Sequence, residues 1–185
     1  MPFIIHRQKK LIPFKSQQMN SKSYAFIAYF LLLPGLQVLV FNQFDLGTQL
    51  VPHVYLLFLI FYPSNAEQTI FLVVAFFFGL YIDILHSTMG LHAAACLTAA
   101  FLRPTITTSV FGKNHGYVSI RLNQTPFVAL SAYTLNLVLV HHLIYYVIGV
   151  SSWAQWLSII KQFIFGSLYS LLFLIAIMFL FRTKK

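Results

Sequence analysis

Between Ser23 and Phe181 the chain is a succession of apolar segments with short polar interruptions, and no other feature restricts its fold so strongly. About 20 apolar residues in a helix match the hydrocarbon thickness of a bilayer. Inside lipid every backbone N–H and C=O must be bonded within the chain, so helices are the natural way across. The pattern predicts an all-α integral membrane protein with six spans. These are Ser23–Phe41, kinked at Pro34-Gly35, Val51–Tyr62, Thr69–Leu85, Met89–Leu102, Pro126–Val150 and Trp156–Phe181. Val51–Tyr62 is short for a span, and Arg103-Pro104 is expected to mark the cytoplasmic end of the fourth segment or a break in it. Residues 1–22 form a basic cytoplasmic N-terminal tail, 23–181 the six-span domain and 182–185 a second cytoplasmic tail. Met19 is an alternative start to Met1.

Composition excludes the main alternatives. Of 185 residues 59% are hydrophobic and 8% charged, against about 25% charged in a soluble domain. Twelve Lys+Arg and three Asp+Glu cannot cover a soluble surface, and the single Cys96 rules out a disulfide scaffold. The net charge of +9 is a matter of placement. All basic residues but Lys161 fall in three groups: Arg7 to Lys22; Arg103, Lys113 and Arg121; and Arg182, Lys184 and Lys185. Six spans starting inside put all three on the cytoplasmic face, as the positive-inside rule requires, whereas five would leave the last group outside. Both termini are therefore expected in the cytoplasm. Basic residues not interleaved with aromatic platforms argue against nucleic acid, and the N-terminal group is suited to anionic membrane lipid.

Asp83 is the one acidic side chain inside an apolar segment. Such a carboxylate must face protein, water or a donor. The favoured role is an anchor that accepts the free backbone N–H groups at the start of the next helix, around Gly90 to His92; a proton or ion site is the chemical alternative. His86 follows Asp83 by three residues and His92 lies past the turn. His141 and His142 sit mid-segment, about 100° apart on a helix, so at most one is expected to face any single centre. Arg103, Asn136, His141 and His142 are candidate partner or cavity contacts. No metal site, cofactor or catalytic set is expected: His-Glu-x-x-His, Gly-x-Ser-x-Gly and phosphate-loop patterns do not occur. Cys96 suits a small core position, and the Gly90/Ala94 and Ala95/Ala99 spacings suit close helix packing.

The stretch Gly79-Leu80-Tyr81-Ile82-Asp83 to Gly90-Leu91-His92-Ala93 resembles the MreD family of rod shape-determining membrane proteins. Gln37-Val38-Leu39-Val40-Phe41-Asn42, Ala93 to Pro104 and His141-His142-Leu143 are similar to its variant in Bacteroidetes-type bacteria. The resemblance covers roughly Gln37 to Tyr146 and marks Gly79, Asp83, His86, Gly90 and His92 as the membrane motif. It implies a non-enzymatic inner-membrane subunit of the cell-elongation machinery. Its implied partners are MreC, MreB, a RodA-type glycosyltransferase and a class B penicillin-binding transpeptidase. It also implies a six-helix fold like the substrate-binding subunits of energy-coupling-factor vitamin transporters. A vitamin-type carrier subunit is accordingly the alternative function, and a metal-assisted hydrolase using Asp83, His86 and His92 a more distant one.

Overall fold

The computed structural model describes residues 21–46, 50–63, 66–112, 120–150 and 156–182. The basic tail up to residue 20, Lys113, residues 151–155 and residues 183–185 lie outside that set. The elements are α1 (Ser21–Leu39), α2 (Leu57–Phe61), α3 (Gln68–His86), α4 (Leu91–Phe111), α5 (Phe127–Ile148) and α6 (Trp156–Leu180). Single 3₁₀ turns cover Phe41–Phe44 and Val54–Leu56, and no strand occurs among the described residues. α3, α4, α5 and α6 are each long and apolar enough to cross a membrane, while the apolar part of α1, Phe26–Leu39, is shorter. α3 packs on α4, α4 on α5 and α5 on α6, with α1 against α3 and the short segment around α2.

The expected second span takes a different form. Helical turns cover only Val54–Phe61, about 13 Å at 3₁₀ and α-helical rises. Pro52 and Pro63 bracket the segment, and Val54, Tyr55, Leu56, Phe58, Leu59, Ile60 and Tyr62 are all buried. It is therefore core rather than lipid-facing surface. Phe58 stacks on Phe78 with ring centroids 4.1 Å apart, and Tyr62 on Phe71 at 4.2 Å. At its start His53 lies beside His142 of α5, and at its end the Tyr62 carbonyl accepts from Arg103 of α4.

The fourth segment also departs from expectation, because α4 continues past Arg103-Pro104 to Phe111. Pro104 has no N–H to donate, which frees the Ala100 carbonyl one turn earlier. Gln68 Nε2 donates to that carbonyl at 2.9 Å. Arg103 does not turn to water: its Nε donates to the Tyr133 hydroxyl at 2.8 Å, and its guanidinium lies 4.8 Å from the Phe71 ring centroid. With both irregularities satisfied inside the bundle, nothing forces the helix to stop. α1 likewise runs unbroken through Pro34.

α3 and α4 approach closely at Gly79. A Cβ there would lie 2.5 Å from both the Ala93 Cα and the His92 carbonyl oxygen. Ala95, Cys96 and Ala99, also on α4, are fully buried. The small-residue spacing thus serves packing, with Cys96 in the core.

Candidate functional site

The motif from Gly79 to His92 closes the α3–α4 hairpin. Ser87 ends α3 in the left-handed conformation at φ 55°, and Gly90 opens α4 at φ 81°, where a side chain would be strained. Asp83, one turn before the end of α3, is buried. Its Oδ1 accepts the His92 N–H at 3.0 Å and the Thr88 hydroxyl, and its Oδ2 accepts the Ala93 N–H at 2.9 Å. The first N–H groups of a helix have no intrahelical partner, so this carboxylate caps α4 from the neighbouring helix. That is the bonding expected of an anchor.

All five histidines among the described residues gather at this same end of the bundle. His86 sits at the end of α3, with Nδ1 bonded to the Ile82 carbonyl at 3.0 Å and Nε2 2.9 Å from Asn42 Nδ2. The carbonyl can only accept, so Nδ1 carries the proton and Nε2 accepts from Asn42. This bond ties the hairpin to the turn after α1.

His53, His92, His141 and His142 are buried. His142 Nδ1 donates to the Val138 carbonyl at 3.0 Å, which leaves the one lone pair of Nε2 shared between His53 Nδ1 at 3.0 Å and the Ser170 hydroxyl at 3.1 Å. Ser170 in turn accepts the His53 backbone N–H at 3.0 Å. The Tyr55 hydroxyl bridges His92 Nδ1 at 2.7 Å and His141 Nε2 at 3.1 Å. One hydroxyl proton serves both contacts, so it donates to one ring and accepts from the other; the shorter distance fits donation to His92. His92 Nε2 and His141 Nδ1 then provide one further donor and one further acceptor, and neither has a partner among the described residues.

Both His141 and His142 reach this centre, with ring centroids 5.8 and 4.8 Å from that of His53. The expectation that at most one could do so fails because the two rings meet different partners: His141 bonds Tyr55 of the 3₁₀ turn and His142 bonds Ser170 of α6, and His53, at the entry to that turn, lies near both. Asn136 is not part of the centre: it is exposed and donates to the Ala132 carbonyl of its own helix at 2.8 Å. Arg103 lies elsewhere, at the far end of the short segment beside Tyr62 and Tyr133. No group of three or more His, Cys, Asp or Glu among the described residues is arranged to hold a metal ion.

Sequence reasoning missed Gln37, Tyr55 and Ser170. Gln37 is fully buried in α1; its Oε1 accepts the Val54 N–H at 2.8 Å, and its Nε2 donates to the Pro52 carbonyl at 3.0 Å. A lone glutamine in an apolar helix was the available signal, since an uncharged amide in lipid needs partners as much as a carboxylate does. Tyr55 and Ser170 carried no such signal.

Compared with protein-family models, curated proteins and solved structures, the chain matches none.

Proposed function

We propose that this chain is a non-enzymatic, multi-pass subunit of the bacterial cell-elongation machinery, of the MreD type, which holds MreC and the peptidoglycan synthases at the inner membrane. The observation that carries the reading is the use made of the motif behind the resemblance. Gly79 sets helix contact, Asp83 caps α4, His86 ties the hairpin to Asn42, Gly90 turns the chain and His92 joins the buried centre. Each motif residue fixes shape, which suits a scaffold. On this reading the chain crosses the bilayer six times with both termini cytoplasmic. The short Val54–Tyr62 segment counts as a crossing because it runs from the histidine end to the Arg103 end, opposite in direction to α1.

The test is depletion in a rod-shaped bacterium that carries the protein, with affinity capture from detergent extract. Rods should become spheres, and an MreC-type partner should be captured with the full chain. Normal shape and wall incorporation after depletion overturn the proposal. A carrier subunit is the second reading, favoured by the two buried nitrogens of His92 and His141 that lack partners among the described residues. A small molecule retained through purification, and lost in His141→Ala, would select it.

A further inference from the structure

A groove of about 380 Å³ runs along α6, lined by Leu168, Leu171, Leu172, Ile175 and Phe179, with Phe127 of α5 at one end. These positions recur at three- and four-residue intervals and form one face of α6. Leu168, Leu172 and Phe179 remain largely exposed. From Leu168 to Phe179 the helix rises about 16 Å, close to half of the roughly 30 Å hydrocarbon core. The groove is thus one leaflet deep.

Its Phe127 end is basic. The Arg182 guanidinium lies 5.4 Å from the Phe127 ring centroid and donates to the Thr125 carbonyl at 3.1 Å. The Arg121 carbonyl accepts the Thr125 N–H at 2.9 Å, which folds the loop back and brings the exposed Arg121 to the same end. Its guanidinium contacts Gln124 Oε1 at 3.3 Å, and neither arginine faces a carboxylate among these contacts. In the orientation set by the basic groups this end lies at the cytoplasmic headgroup level, where anionic lipid is attracted by about 1 kcal/mol per Lys or Arg.

We propose that this groove binds one anionic phospholipid of the inner leaflet, with an acyl chain along α6 and the phosphate between Arg182 and Arg121. Charge and length select that occupant. A partner helix would need an interface across the whole bilayer, and such interfaces are rich in small residues; the lining here is bulky, with Ala176 its one small member. The site rests on the orientation alone and does not depend on any role in cell elongation.

The test uses the purified full chain and native mass spectrometry, with phosphatidylglycerol and phosphatidylcholine of identical acyl chains as probes. Phosphatidylglycerol should be held preferentially. Arg182→Gln should weaken it about fivefold and the double variant with Arg121→Gln about 25-fold. Arg182→Lys should retain most of the affinity, and Lys161→Gln, at the other end of α6, should change nothing. Ala176→Trp places bulk in the open groove and should remove the lipid with both arginines intact, a readout independent of whether the arginine variants fold. Equal retention of the two lipids overturns the proposal, as does an effect of Lys161→Gln matching that of Arg182→Gln. A photo-crosslinker at Leu172 should label lipid in native membranes, and labelling of a protein instead refutes the assignment.

Discussion

Replacing Asp83 separates an anchor from a chemical role, and the structure sets the size of the effect. Asp83→Leu strands the His92 and Ala93 N–H groups. Each orphaned buried donor costs about 1–3 kcal/mol, so the pair costs about 2–6 kcal/mol. Asp83→Asn keeps one oxygen, which can still accept from His92 and Thr88, but turns its amide N–H₂ toward the Ala93 N–H. One donor is then orphaned, at about 1–3 kcal/mol. In a chain of this size 1 kcal/mol moves the Tm by about 2–4 °C. The Asn variant should therefore lose about 2–12 °C and the Leu variant about 4–24 °C, measured by size exclusion of heated detergent extract. Amide exchange should localise the damage to the first turn of α4: Ala93 exposed in Asn, His92 and Ala93 both in Leu. The reasoning fails if Asp83→Asn keeps wild-type stability and exchange protection yet no longer supports rod shape. That outcome would assign Asp83 to proton or ion chemistry.

Gly79→Ala inserts a Cβ where Ala93 and His92 backbone atoms stand 2.5 Å away, so α3 and α4 must part. A loss of about 1–3 kcal/mol is expected from the overpacking, seen as a lower Tm; unchanged stability would refute the close contact of α3 and α4 at Gly79. Reporter fusions after Lys185 and within residues 113–119 should both report cytoplasm, with alkaline phosphatase inactive. Activity at either site would break the six-crossing arrangement.

How far the sequence reveals the molecule depends on the reach of each interaction. Asp83 was legible because a lone acid in an apolar helix must find donors, and the nearest free ones lie in the adjoining helix start. α3, α5 and α6 were legible because length and hydropathy are local properties. The burial of Val51–Tyr62 was not legible, because an apolar run of that length fits a lipid-facing span and a core segment equally well, and the contacts that decide come from distant residues. The His53 backbone bonds Ser170, 117 residues away. The same holds at Pro104, where the partner that rescues the freed carbonyl is Gln68, 32 residues from the acceptor. Asn136 misled for the opposite reason: its partner is its own helix.

The ties that hold the short segment also bear on how the chain is made. Gln37, Phe26 and Phe30 of α1 precede it; Arg103 at one end and His142 and Ser170 at the other are synthesised later. As it leaves the ribosome, Val54–Tyr62 has too few apolar residues to partition stably into lipid alone, and its terminal polar groups lack most of their partners. The second apolar stretch to be translated thus acquires its full set of partners only when α6 is made, and a nascent chain halted before Ser170 is expected to leave it incompletely held.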